Sequence, residues 1–164
     1  KPPSFANSLI QNIGGGNTMV LNKAAFKLIK LASKNTTVVS HDWWCYQMVT
    51  GSGGVAIYDS KPCLKYRQHG KNLVGENRSL AESLERVKKL FGGRLGVWSS
   101  INISALEKNK HLLTQKNLIT LNYFAKARRS SLLKRLYNFK RSGVHRQTIL
   151  ENIGLTLALF LNKL

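Results

Sequence analysis

The sequence predicts a mixed α/β fold, rich in helix, with short strands in its front part and a helical extension behind them. Three observations carry this. Apolar runs of strand length, bounded by turn residues, occur at Thr18–Leu21, 54–59 and 62–68. From Ser79 onward the apolar residues recur at helical spacing instead, beginning with Leu80, Leu84, Val87 and Phe91. Between these regions lies Trp43–Val49, aromatic or apolar nearly all round, the pattern of a helix that is buried rather than amphipathic.

In chain order, residues 1–16 read as loop, with Pro2-Pro3 at one end and Gly14-Gly15-Gly16 at the other. Asn22 is an N-cap for a helix over Lys23–Ser33, whose Ala25, Phe26, Ile29 and Leu31 form the expected apolar face. A polar connector over 34–40 leads to the buried helix, about 42–50, which breaks at Gly51-Ser52-Gly53-Gly54. Asp59-Ser60-Lys61-Pro62 is a turn between the second and third strand candidates. The helix that begins after Ser79 ends at Gly92-Gly93, and further helices are expected at about 95–110, 115–129, 131–141 and 148–162.

The chain's 164 residues are enough for a real core, and 43% hydrophobic content is that of a globular protein. Charge is less ordinary: 26 Lys and Arg stand against 7 Asp and Glu, a net +19 that favours acidic partners. Between Glu107 and Arg146 there are eleven basic residues and one acid, interleaved with Tyr123, Phe124, Tyr137 and Phe139, as in helices with a cationic outer surface. Cys45 and Cys63 lack metal-type spacing and read as buried free thiols of a reducing compartment. Asn-x-Ser/Thr triplets at Asn35, Asn77 and Asn102 arise often by chance and argue little for secretion. No apolar run reaches the roughly 18 residues of a membrane span, so the chain is not expected to be integral to a membrane.

The sharpest candidate for chemistry is Asp42. An acid at the mouth of a helix is ordinarily a cap that takes a free backbone N–H and suits the positive helix end, and spacing alone favours that reading. A general base needs a carboxylate held rigidly beside a cleft, and a buried aromatic helix supplies the rigidity, so both readings stand. In Tyr66-Arg67-Gln68-His69, Arg67 and His69 share one side of an extended run; this is either a solvated edge or a phosphate-facing rim. The glycines at 14–16 match neither phosphate-loop pattern and read as a loop that turns sharply or lies close to a ligand. His111 and His145 read as surface residues, Trp98 as core, and Asp59 as a turn residue.

Taken together, Gly-Asn-Thr-Met-Val-Leu-Asn at 16–22, His-Asp-Trp-Trp at 41–44, Tyr-Asp-Ser-Lys-Pro at 58–62 and Tyr-Arg-Gln-His-Gly-Lys-Asn-Leu-Val-Gly at 66–75 resemble the second half of bacterial family 2 glycosyltransferases. The closest likeness is to the rhamnosyltransferase-like members that build surface polysaccharides, over roughly residues 5–78. The resemblance implies a GT-A fold, a nucleotide-sugar donor, a divalent Mg or Mn ion, and an inverting displacement onto a glycan or lipid-linked glycan. On it, Asp42 is the catalytic base, His41 and Trp43 shape the acceptor side, and Gly16, Asn17 and Thr18 floor the sugar site. Arg67, His69 and Asn72 would lie by the departing diphosphate, with His69 the one side chain offered as a metal ligand.

One departure is large. Such enzymes hold the metal through an Asp-x-Asp motif on an N-terminal nucleotide-binding half, and neither occurs in this chain. Residues 1–78 are therefore expected to be an acceptor half and 79–164 a basic helical extension, of a protein that begins upstream of Lys1. Alone, the chain is expected to transfer no sugar and bind no metal; its partners would be the missing half, the donor and the acceptor. A cytoplasmic place at the inner face of the cell membrane follows from the same resemblance.

The rival from another class is a basic module that binds nucleic acid, but only net charge supports it; no RRM, KH, zinc or helix-turn-helix signature is present. The tail Thr148–Leu161 sets Ile149, Leu150, Ile153, Leu157, Phe160 and Leu161 on one face. That face is expected to pack on the domain, the alternative being an interfacial helix held to anionic lipid.

Overall fold

The computed structural model of the chain describes residues 1–61 and 94–164. Among these residues it is all helical: α1 (Phe5–Ser8), α2 (Lys23–Ala32), α3 (His41–Gly51), α4 (Arg94–Lys108), a 3-10 turn at Lys110–Leu112, α5 (Gln115–Arg129), α6 (Leu132–Ser142) and α7 (Ile149–Phe160). The expected mixed α/β class, and with it the strand-bearing GT-A architecture, is overturned, because no strand forms among the described residues. Thr18 closes a turn by donating its N–H to the Gly15 carbonyl at 3.0 Å, and residues 19–21 run on without regular structure. Residues 55–60 run without regular structure, and Val20, Val55 and Ile57 stand largely in solvent. An apolar run becomes a strand only where a neighbour completes its hydrogen-bond ladder, and none does among the described residues. The strand candidate at 62–68 and the helix expected from Ser79 to Phe91 lie outside the described residues.

The helices begin where their caps dictate. Asn22 accepts the Ala25 N–H at 2.8 Å and starts α2, as its sequence position predicts. The inward face of α2 differs from the expected one, however. Leu28, Ile29 and Ala32 meet the core, while Phe26 and Leu31 are exposed. Gly143, at φ +66° just after α6, takes the left-handed conformation that stops a helix at low steric cost.

A single hydrophobic cluster holds the helices together. It joins Phe5, Leu9 and Ile10 near α1, Trp44 and Met48 of α3, Ile103 and Leu106 of α4, Leu121 and Phe124 of α5, and Leu155 of α7. The front and back parts of the chain thus share one core across the boundary expected after residue 78. Between α5 and α6 the Arg141 guanidinium sits 5.5 Å from the centre of the Tyr123 ring, a cation–π contact at the surface.

The start of α7 carries a complete capping box. Thr148 Oγ1 accepts the Glu151 N–H at 3.2 Å, and Glu151 Oε2 accepts the Thr148 N–H at 3.3 Å. Glu151 also pairs with Arg146 at 3.2 Å. Burial alone would raise its carboxyl, but the Arg146 charge and the Thr148 hydrogen bonds outweigh that and hold it below the usual value. A depressed folded-state pKa contributes stability above the unfolded value of about 4.3, and that contribution disappears as the pH falls through the folded pKa. Glu151→Gln is therefore expected to lower stability by about 1 kcal/mol or less at neutral pH, and by nothing in strong acid. Thermal melts of both proteins across acid pH check this; an undiminished gap in strong acid would rule out the ionic origin.

Candidate functional site

The candidate site is the corner where the Gly16–Thr18 turn meets the first turn of α3. Helix α3 is rigid because it is enclosed: Trp43 to Met48 are six consecutive buried residues, as its all-round apolar sequence predicts. Its polar groups are tied to α1. The Trp43 indole N–H donates to the Ser8 carbonyl at 2.6 Å, and the Gln47 amide donates to the same oxygen at 3.1 Å. The Tyr46 hydroxyl donates to Asn7 Oδ1 and accepts the Ser4 N–H, both at 2.9 Å. At the far end, Asn117 Nδ2 of α5 donates to the Thr50 and Gly51 carbonyls at 3.0 and 2.9 Å, satisfying acceptors that the end of a helix leaves open.

Held in this way, α3 presents its first turn outward. Ser40 precedes the helix but makes no side-chain cap bond. Asp42 does that work from inside the first turn, where its Oδ1 accepts the Trp43 N–H at 2.8 Å. The carboxylate is half-buried, and among the described residues it takes no second hydrogen bond. Its charge sits at the positive end of the helix and is favoured there. Three residues on, burial pushes the Cys45 thiol up, and the Asp42 charge pushes it further, so Cys45 is a poor thiolate donor.

Gly16 lies against His41. A Cβ at position 16 would fall onto the His41 ring, in contact with Nε2 and 2.8 Å from Cε1. The close approach that the glycine permits is therefore to the histidine preceding Asp42. Thr18 closes the turn by donating its hydroxyl to the Gly15 carbonyl at 2.9 Å. Gly16, Asn17, Thr18 and His41 are all exposed, and the half-buried Asp42 follows His41 in the first turn of α3.

Trp43 is placed differently from the others. It is 5% exposed and packs edge-to-face on Trp98, ring centres 6.0 Å apart, so it anchors the helix rather than facing the corner. Trp98 is only half-buried. Arg67, His69 and Asn72 lie outside the described residues, as does Cys63. Among the described residues no three His, Cys, Asp or Glu side chains gather closely enough to hold a metal ion. An open groove between α4 and α5, lined by Ser100, Glu107, Arg128 and others, shares no residue with the corner.

Sequence reasoning missed the supports of the site, namely Ser4, Asn7, Ser8, Gln47 and Asn117. Only Ser4 left a local sign, as the cap of α1 that accepts the Asn7 N–H at 3.2 Å. The bonds of Asn117 span 66 and 67 residues and have no local signature. No protein-family model matches the chain, and neither a curated protein nor a solved structure matches it.

Proposed function

We propose that the chain is the acceptor-side part of a sugar transferase, with Asp42 as the general base. The observation that supports this best is the meeting of two separate motifs at one exposed corner: Gly16 packs on His41, and the adjacent Asp42 is held by a helix enclosed along its length. In the proposed reaction the acceptor hydroxyl oxygen forms a bond to the anomeric carbon of the donor. The bond from that carbon to the nucleoside diphosphate breaks, the diphosphate leaves with the bonding pair, and Asp42 takes the hydroxyl proton. Helix α3 contributes by fixing the carboxylate; the neighbouring turn gives exposed amide and hydroxyl groups for sugar contacts. A divalent ion and the donor site belong, on this reading, to a nucleotide-binding half whose Asp-x-Asp motif this sequence does not contain.

The test is expression of the chain together with its upstream coding sequence, followed by measurement of nucleoside diphosphate release from a panel of nucleotide sugars with magnesium or manganese. Release that depends on an added glycan acceptor is the expected result. No release with any donor, together with salt-sensitive binding of RNA or DNA, would replace this reading with the basic-module one.

A further inference from the structure

Helix α7 packs on the core, but not by the face its sequence pattern suggests. Gly154, Leu155, Ala158 and Leu159 are buried, whereas the six apolar residues expected to pack inward are the ones in solvent. They range from 50% exposed at Leu157 and Phe160 to 82% at Ile149. The outward arc holds one polar residue, Thr156, and no charge. A surface helix in water normally turns its charged side outward, and an apolar patch of this kind marks a contact site. On the neighbouring α6, Leu133 and Tyr137 are also exposed, as are Lys134, Lys140 and Arg141. Arg135 of α6 ties the two helices by donating to the Leu159 carbonyl at 3.2 Å.

We propose that this surface docks on an anionic lipid bilayer, with α7 lying in the plane of the headgroups. Charge decides between the occupants. Residues 94–164 carry 13 Lys and Arg against 2 acids, so a second copy would bring like charge to the same contact. Anionic headgroups bring opposite charge and, just beneath them, an apolar layer for the outward arc. Length points the same way. The 12 residues of α7 extend about 18 Å, too short to cross a bilayer but suited to lying at its surface. No helix among the described residues is long and apolar enough to cross a membrane. This inference stands independently of the sugar-transfer reading.

The experiment is flotation of the full chain with phosphatidylcholine vesicles, with and without about one-third phosphatidylglycerol. Binding is expected only with the anionic lipid, weakened by added salt, and reduced about tenfold or more by Leu157→Glu combined with Ile153→Glu. Both positions are exposed, so circular dichroism should show an intact fold in the variant. Absence of flotation with anionic vesicles overturns the proposal. So does binding that the double variant leaves unchanged, which would be charge alone. Self-association abolished by the double variant, without lipid binding, assigns the face to a second copy and also overturns it.

Discussion

On the proposed sugar-transfer reading, Asp42→Asn is expected to lower turnover by about 10²–10⁴-fold, the usual contribution of a positioned general base. The amide retains an oxygen that can accept the Trp43 N–H, so the hydrogen bond that starts α3 survives. What the substitution removes is the charge. At a helix N-terminus that costs about 0.3–1 kcal/mol, a melting-temperature change of a few degrees at most. The two readings of Asp42 therefore separate. A base gives a large loss of turnover with a small loss of stability, whereas a cap alone gives the small stability loss and nothing else. Turnover within about threefold of the parent enzyme, at matched folding, would leave Asp42 as a helix-stabilising residue only.

Phe124→Ala is expected to be the most damaging single truncation in the described core. The ring is fully buried in α5, at the centre of the cluster that joins α1, α3, α4 and α7. Removing it forfeits the transfer energy of the ring and leaves a cavity, together about 3–5 kcal/mol. A domain of this size has only about 5–15 kcal/mol in total, so the variant should melt on the order of 10 °C lower. Ile119→Ala on the same helix is the control. Its side chain is half in solvent, and its cost should stay within about 0.5 kcal/mol. Urea unfolding followed by circular dichroism compares them, and similar midpoints would mean that α5 is not seated on the core as described.

Helices were legible in the sequence because their signals are local. The span of α5 follows from apolar spacing, and α3 from a nearly continuous apolar run followed by glycine. Sequence reasoning missed the Thr-x-x-Glu signature at 148–151, although it is local and marks where α7 begins. Strands were not legible in the same sense. Val55 and Ile57 alternate as strand residues do, but alternation describes only a preference, and pairing depends on a partner that sequence does not name. Faces failed for a related reason. When a helix is apolar all round, as α7 nearly is, periodicity cannot say which side its neighbours will cover. At the candidate site, Asp42 was visible as an acid heading a buried helix. The approach of Gly16 to His41, and the α1 bonds that fix Trp43 and Gln47, exist only once distant segments meet.

The links between the first residues and the segment before α7 bear on assembly. Asn7 donates to the His145 carbonyl at 3.0 Å, Arg146 to the Ile10 carbonyl at 3.3 Å, and the Gln147 N–H to Gln11 at 2.9 Å. Each closes a loop of more than a hundred residues, an entropic step that local helix formation does not require. On a ribosome, α1 emerges early and can settle on α3, but its links to the segment before α7 wait until the far end of the chain has been made. Until then Trp44 and Met48 lack the α4, α5 and α7 members of their cluster, and the nascent chain exposes there the surface on which a chaperone would be expected to act.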